Sequence, residues 1–227
     1  MTNPIKYPRT PHALWSQGRS EDDIEVVDLN NFIDKEIIIL EKIDGENASL
    51  YHDYYHARSL DSRHHPSRSW IKSFHASISN DIPNDIRICG ENVYAFHSIF
   101  YTNLPSYFLV FGIYNENNVC LSWDDTIEYC ELLGLCTVPV LYEGIFDEEY
   151  IKSFWKGIGK YPTFSDKDRK IPCDAEGYVV RLRDQFHYDD FDKSCFKYVR
   201  KNHVQTDEHW MSKPVVPNLL NDDVLGT

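Results

Sequence analysis

The sequence lacks any hydrophobic run long enough to cross a membrane. Its longest apolar stretches, at residues 37–40, 107–114 and 137–142, are far shorter than the roughly 20 residues that a membrane helix requires. The first 15 residues contain several prolines and no apolar core, so no secretory signal peptide is predicted. We therefore expect a cytoplasmic protein that has no membrane partner.

Closely spaced cysteine pairs are also absent. The six cysteines are scattered without a CxxC motif, which argues against a zinc ribbon or a thiol redox motif. We expect them to be reduced and mostly buried, because isolated cysteines more often pack than react. No segment repeats at a fixed period, and 42% hydrophobic residues suffice for a core. One domain is predicted over residues 1–227, with residues 202–227 as a short C-terminal appendage.

Positive charge is scarce overall, because the formal net charge is −13. Such a chain would usually repel a polyanion such as nucleic acid. Two segments differ, and we call them the first and second basic regions. Residues 56–75 contain four cations against one aspartate, and residues 193–204 contain four cations and no acid. These regions predict a confined phosphate-binding groove, with a pair of solvated faces as the alternative.

Hydrophobic patterning predicts an α+β fold with largely antiparallel sheets and flanking helices. Residues 36–42 form a β-branched run too short for a helix, and the IDGE sequence after it predicts a hairpin turn into a second strand. Ser122 and Gly134 are expected to cap a helix. The other predicted helices cover residues 66–79 and 147–158, and the other predicted strands cover residues 87–93, 107–114, 175–182 and 195–200.

Lys42 is the first candidate for chemistry, because the sequence EKIDGEN at residues 41–47 places a lysine two residues before an Asp-Gly pair. Such a sequence also arises by chance and fits a charged turn. A lysine amine becomes nucleophilic when burial or nearby cations lower its pKa from about 10.4. At the end of a buried strand, we expect Lys42 to be held rigidly and partly shielded from water.

KIDG resembles the first motif of the covalent nucleotidyltransferase superfamily, which comprises ATP-dependent DNA ligases, RNA ligases and mRNA capping enzymes. The other motifs follow in the family order, with GEN at 90–92, VFGIY at 110–114, EGYVVR at 176–181 and FKYVR at 196–200. The flanking sequences PRTPHALWS, HARSLDSRHHPSR and NHVQTDEHW are most similar to the RNA ligase 2-like family. The resemblance covers nearly the whole chain and implies an ATP-grasp-like nucleotidyltransferase (adenylation) domain.

The resemblance implies an ATP-dependent RNA ligase that forms a lysyl-AMP at Lys42, transfers AMP to a 5′-phosphate and joins that end to a 3′-hydroxyl. Lys197 would act with Lys42 as a second catalytic cation by neutralising the α-phosphate. Glu176 and Glu91 would hold Mg²⁺ or Mn²⁺, since carboxylate oxygens suit these ions better than zinc. The implied ATP-binding residues are Glu41, Ile43, Asn47, Arg58, Glu91, Phe111 and Lys197. The residues expected to contact nucleic acid are Arg63, Arg68, Arg200 and Lys201.

Some of these roles have ordinary structural alternatives. Phe111 would stack on adenine and Glu41 would distinguish adenine from guanine, but a phenylalanine in a strand is also a normal core residue. Glu91 or Glu176 taken alone would more often form a structural salt bridge. The ordered set of motifs favours the catalytic interpretation.

Two features depart from the common pattern of the family. Val199 occupies the place of a second lysine two residues after Lys197, and Arg200 or Lys201 is the expected substitute. Only 26 residues follow Lys201, so we expect no OB-fold domain. Strand binding would then come from the nucleotidyltransferase domain or from a partner protein.

The alternatives left open are a minimal DNA ligase that acts on DNA ends and a catalytically silent nucleic-acid-binding homologue. A capping enzyme fits the flanking sequences less well.

Overall fold

The computed structural model describes residues 3–20, 22–26, 28–61, 64–202 and 214–222. Its α-helices are α1 (Ser69–Ile78), α2 (Trp123–Leu133) and α3 (Glu148–Phe154). Its strands are β1 (Glu36–Lys42), β2 (Glu46–Leu50), β3 (Tyr55–Ala57), β4 (Arg87–Asn92), β5 (Phe100–Tyr101), β6 (Phe108–Tyr114), β7 (Val119–Cys120), β8 (Cys136–Thr137), β9 (Val140–Ile145), β10 (Thr163–Asp166), β11 (Ile171–Pro172), β12 (Gly177–Leu182), β13 (Phe186–His187) and β14 (Cys195–Val199).

The strands form two large sheets and one small sheet. The first sheet has the order β14-β12-β1-β9, and all of its pairs are antiparallel. The second sheet has the order β13-β7-β6-β4-β2-β3, with β8 added in parallel to β6. The small sheet has the order β11-β10-β5. This largely antiparallel α+β architecture confirms the predicted fold class.

Strand β1 is buried on both faces, which explains its unbroken run of large aliphatic residues. Ile38 and Leu40 pack into the hydrophobic cluster between the two large sheets, whereas Ile37 and Ile39 pack into the cluster on the opposite face. All four side chains are at most 2% exposed. The strand is therefore a rigid support for the lysine at its end.

The predicted hairpin after Lys42 is wrong. Lys42 pairs with Gly177 of β12 in the first sheet, whereas Glu46 pairs with Asn92 of β4 in the second. The carboxylate of Asp44 accepts hydrogen bonds at 2.7 and 2.8 Å from the main-chain nitrogens of residues 98 and 99, which hold the connection open between the sheets. An Asp-Gly sequence favours a turn but does not specify which strands pair. Lys42 consequently lies where the chain crosses from one sheet to the other.

The helices agree closely with their sequence signals, except for the length of the third. Ser122 accepts a hydrogen bond from the Asp125 nitrogen at 3.1 Å, and Gly134 ends α2 with a φ of 64°. The helix predicted over residues 147–158 ends at Phe154, because Trp155 is extended and packs on Tyr178. No helix in the described part of the chain is long and apolar enough to span a bilayer.

Residues 214–222 pack against the connection between β4 and β6, which includes β5. The side chain of Asn218 is fully buried and accepts a hydrogen bond at 2.8 Å from the Tyr101 nitrogen. It also donates to the Val93 carbonyl at 2.7 Å. All six cysteines are free, and four of them are buried, in agreement with the expectation from their spacing.

Candidate active site

Lys42 is paired with a carboxylate at the mouth of a cleft between the two large sheets. Its Nζ lies 2.8 Å from Oε1 of Glu176, and the two side chains are 24% and 6% exposed. Burial disfavours the charged amine, but the carboxylates of Glu176 and Glu91 outweigh burial and raise the pKa of Lys42. This direction is opposite to the depressed pKa expected from the sequence. The lysine is therefore an ammonium ion until its neighbouring carboxylates are neutralised.

Glu91 lies in β4 directly opposite Asn47 of β2, so both side chains are on one face of the second sheet. Burial, reinforced by Glu176 and Asp44, raises the pKa of Glu91 to about 8, although Lys42 opposes this shift. Because burial disfavours the ionised form of this carboxyl group, a nearby cation would stabilise that form.

The carboxylates of Glu91 and Glu176 suit a divalent ion such as Mg²⁺. No group of three histidine, cysteine or acidic side chains is preformed as a metal site within the described residues. Mg²⁺ is commonly bound by only one or two carboxylates together with substrate phosphates and water. Glu176 helps to raise the pKa of Glu91, and both carboxylates act on Lys42, so the two side chains match this arrangement.

An apolar pocket extends inward from Lys42. Its cavity volume is about 100 Å³. It brings together five residues expected to bind ATP, which are Glu41, Ile43, Asn47, Glu91 and Phe111. Phe111 occupies a β-bulge, because Gly90 pairs with Val110 and Cys89 pairs with Gly112, leaving it without a partner. The bulge leaves Phe111 partly exposed between buried neighbours, as a stacking residue requires.

Val179, Arg181 and Tyr7 line the same pocket but were not singled out in the sequence. Val179 and Arg181 pair with Leu40 and Ile38, so they share the cleft face of the first sheet with Lys42. The alternation within EGYVVR is the signal that could have found them. Tyr7 comes from the N-terminal segment, and its ring meets Phe111 edge-on at 4.9 Å between centroids. No motif predicts that contact.

Arg181 crosses the floor of this pocket and links the two large sheets. It belongs to β12, and its guanidinium donates to the carbonyls of Leu121 at 2.7 Å and Phe111 at 3.4 Å. The side chain is 2% exposed. Arg181 therefore helps to hold the Phe111 bulge against the first sheet.

Glu41 has its carboxylate on the opposite face of β1 from Lys42. Its Oε2 accepts a hydrogen bond at 2.6 Å from the Lys160 nitrogen, and its buried Oε1 has no partner among the described residues. Burial raises the pKa of Glu41 to about 7. The role of Glu41 in reading adenine stays a prediction, and this placement favours its main chain, rather than its carboxylate, as the group on the nucleotide side.

Arg58 and Lys197 meet beside Lys42. Lys197 of β14 pairs with Val179, and it therefore shares the cleft face of the first sheet. Arg58 follows β3, and its main-chain nitrogen donates to the Asn47 carbonyl at 3.0 Å. Burial, followed by the charge of Lys42, lowers the pKa of Lys197 to about 8. The two basic regions thus each place one cation at the candidate site.

Arg68 is not available as a surface contact for nucleic acid, which corrects the prediction. It is 8% exposed and forms a bidentate ion pair with Glu46, with Nε 2.7 Å from Oε2. The partners are 22 positions apart in the sequence, which concealed this pair from sequence analysis.

Arg200 is also largely occupied inside the protein. Its Nε donates to the Ala175 carbonyl at 3.0 Å, and its main-chain nitrogen donates to the Glu176 carbonyl at 3.0 Å. It therefore positions the residue that pairs with Lys42, rather than replacing a lysine at position 199. Lys201 is exposed and stays a predicted nucleic-acid contact, whereas Arg63 lies outside the described residues.

The model of the RNA ligase family matches residues 35–199 of this chain. Among solved structures, Naegleria gruberi RNA ligase with PPi has a TM-score of 0.54 and 16% identity, over 90% of this chain and 63% of that chain. A mutant of the same ligase with ATP and Mn has a TM-score of 0.51 and 14% identity, over 88% of this chain and 61% of that chain. A candidate ATP-dependent DNA ligase from Aquifex aeolicus has a TM-score of 0.50 and 19% identity, over 86% and 50% of the two chains.

The chain spans less than two thirds of the length of these solved proteins. No curated protein sequence matches it significantly.

Proposed function

This chain belongs to the RNA ligase family, and we propose that it is an ATP-dependent RNA ligase that forms a covalent lysyl-AMP at Lys42. One observation supports this proposal most directly. Lys42 is held between Glu176 and Glu91 at the mouth of an apolar pocket that contains Phe111. This arrangement places a potential nucleophile, carboxylates for a divalent ion and an aromatic surface for a base in one cleft.

The proposed reaction has three steps. First, Nζ of Lys42 forms a bond to the α-phosphorus of ATP while the bond to pyrophosphate breaks. Second, an oxygen of an RNA 5′-phosphate attacks the same phosphorus, and Lys42 leaves and regains a proton. Third, a neighbouring 3′-hydroxyl attacks the activated 5′-phosphate, which joins the ends and releases AMP. Each step transfers a phosphoryl group, for which positioning and charge neutralisation are the main requirements.

Lys42 must lose a proton before the first step. Mg²⁺ or Mn²⁺ beside Glu91 and Glu176 would neutralise the carboxylates and phosphates. With their charge compensated, these carboxylates would hold the ammonium form of Lys42 less strongly, so its pKa would fall. Lys197 would then stabilise the α-phosphate.

The nucleotide would bind along the cleft from the apolar pocket to Lys42. Adenine would stack on Phe111 near Ile43 and Val179, which line the same pocket. Asn47 has a buried Oδ1 without a hydrogen-bond partner in the described chain, so it can accept from a ribose hydroxyl together with Glu91. Arg58 would bind phosphate through its planar guanidinium.

RNA with nicked or broken ends is the proposed substrate, and repair of such RNA in the cytoplasm is the proposed setting. Lys201 and Arg63 stay in the proposal as contacts to the strand. A DNA substrate is the second candidate, and the similarity to the Aquifex protein favours testing it. A partner protein that supplies strand binding is also part of the proposal.

The test of the covalent step is incubation with α-labelled ATP and Mg²⁺ or Mn²⁺, followed by denaturing electrophoresis. We expect label on the wild-type protein, none on Lys42→Ala and none with labelled GTP. Lys35→Ala is the matched control, because Lys35 is an exposed lysine just before the same strand. Absence of label on folded wild-type protein free of bound AMP would favour the silent homologue.

The substrate is tested separately with nicked duplexes whose broken strand is RNA or DNA. Sealing of RNA ends at a higher rate supports the proposal. Equal or faster sealing of DNA ends would contradict the proposal and favour DNA as the substrate.

A further inference from the structure

A second, polar cleft adjoins the nucleotide pocket and contains three cations that lack acidic partners. Arg9, Arg58 and Lys197 line it, and none of them forms an ion pair among the residues that the structure describes. The Nε of Arg58 is buried and also lacks a hydrogen-bond partner there. Arg9 and Arg58 line the same cleft, and burial, followed by the charge of Arg9, lowers the pKa of Arg58. Unpaired cations gathered in one cleft favour an anionic ligand.

Two acids, Asp22 and Asp23, also line this cleft, and Asp23 acts on Lys197 through space without forming an ion pair with it among the described residues. Asp23 accepts hydrogen bonds from the nitrogen and hydroxyl of Ser20 at 3.0 and 2.9 Å and lies 3.4 Å from Nε2 of His12. Asp22 is exposed. Asp23 therefore organises its own segment, and the cations keep their donors for a ligand.

Arg9 reaches the cleft because the N-terminal segment, residues 5–20, lies along the outer edge of β14 from Pro11 to Gly18. The Lys197 nitrogen donates to the Pro11 carbonyl at 2.8 Å, and the Ala13 nitrogen donates to the Lys197 carbonyl at 2.7 Å. These hydrogen bonds fix Arg9 just before the point where the segment joins the strand of Lys197.

The same segment covers Val199. Val199 is 2% exposed, and a Cβ on Gly18 would lie 2.8 Å from its Cγ1. The N-terminal segment thus closes the edge of β14 at position 199 and supplies a cation at Arg9.

The chemical character of the groove changes in a definite order. The apolar pocket with Phe111 comes first, followed by Lys42 with its carboxylates, and then by Lys197, Arg58 and Arg9. ATP presents adenine, the α-phosphate and then the β- and γ-phosphates in the same order. We propose, resting on the proposed function above, that Arg9 joins Arg58 in binding the β- and γ-phosphates of ATP and holding the departing pyrophosphate, next to Lys197 at the α-phosphate.

The contribution of Arg9 belongs to the first step alone. As Nζ of Lys42 bonds to the α-phosphorus, the bond to the β-phosphate oxygen breaks and that oxygen keeps the electron pair. The amine proton passes to solvent. Guanidinium donors stabilise the charge that accumulates on pyrophosphate, and charge-assisted hydrogen bonds are the strong ones in such a site.

The test compares Arg9→Ala with Arg19→Ala in the full-length protein. Arg19 is a matched control, because it lies in the same segment and removes the same charge but pairs with Glu25 at 3.1 Å outside the cleft. Two rates are measured for each variant. One is the reversal of adenylation when inorganic pyrophosphate is added to the lysyl-AMP form, and the other is AMP transfer from that form to a 5′-phosphorylated RNA.

We expect Arg9→Ala to raise the pyrophosphate concentration required for half-maximal reversal by about tenfold or more, with partial rescue by Arg9→Lys. AMP transfer to RNA should stay within about twofold of wild type, which also shows that the variant is folded. Arg19→Ala should leave both rates near wild type.

Two results would overturn this assignment. An unchanged pyrophosphate requirement in Arg9→Ala would show that Arg9 does not bind pyrophosphate. An equal loss in AMP transfer would show that the cleft binds RNA or that Arg9 supports the fold. A wild-type protein that never forms lysyl-AMP would instead reject the proposed function, so the two failures are distinguishable.

Discussion

The first and second basic regions look alike in the sequence, and in each of them one cation faces the cleft while another is held by contacts within the protein. In the first region, Arg58 faces the cleft, whereas Arg68 forms an ion pair with Glu46. In the second region, Lys197 faces the cleft while Arg200 is occupied by main-chain carbonyls. The partners differ in charge, because Arg68 pairs with a carboxylate and Arg200 donates to neutral main-chain carbonyls. A count of cations therefore overestimates the surface available to phosphate.

The largest effect is expected from breaking the internal ion pair of the first region. Arg68→Ala leaves the carboxylate of Glu46 buried without its partner, which typically costs about 3–5 kcal/mol of stability. Urea unfolding measures this loss. Adding Glu46→Gln should restore part of it, and adenylation per folded molecule should change little. A fully stable Arg68→Ala protein would mean that the pair is not structural.

Removing the cleft cation of the second region should have the opposite effect, which is slower adenylation without a loss of stability. Lys197→Ala is expected to slow adenylation by roughly 10²–10³-fold, as for loss of a preorganised donor, with an unchanged urea midpoint. The rate is measured in single-turnover labelling with ATP. If stability fell and the rate per folded molecule did not, Lys197 would belong with the structural cations.

The pH dependence of adenylation sharpens the role of Lys197. Because burial and Lys42 lower the pKa of Lys197 to about 8, its charge is present below that pH and lost above it. The value of kcat/KM should fall about tenfold for each pH unit above 8. In Lys197→Arg the side chain stays charged, so the descending limb should move to higher pH. A limb that does not move would identify another titrating group.

The smallest effect is expected at the internal cation of the second region. Arg200→Ala removes a hydrogen bond from the Ala175 carbonyl, at a typical cost of about 1–2 kcal/mol. The salt dependence of RNA binding should not change, whereas Lys201→Ala should reduce it. A change in salt dependence for Arg200→Ala would restore it as a phosphate contact.

Local signals in the sequence predicted the three helices, the strands β1, β2, β4, β6, β12 and β14, and most members of the candidate site, but not the remaining strands. The aliphatic run of β1, the Ser122 and Gly134 caps of α2 and the ordered motifs each depend on neighbouring residues, so they can be read without the fold. The motif residues Lys42, Glu91, Asn47, Ile43 and Phe111 do converge on one cleft.

Long-range contacts decided the remaining features. Partners many residues away determine which sheet the chain enters after Asp44 and which cation pairs with Glu46. They also determine how Arg9 and Tyr7 reach the cleft. The pKa of Lys42 is the clearest case, since burial alone would lower it and the distant residues Glu176 and Glu91, followed by Asp44, raise it. The sequence by itself determined the chemical groups and their strands, whereas the tertiary structure decided which charges remain free, because Coulomb interactions depend on distance in space.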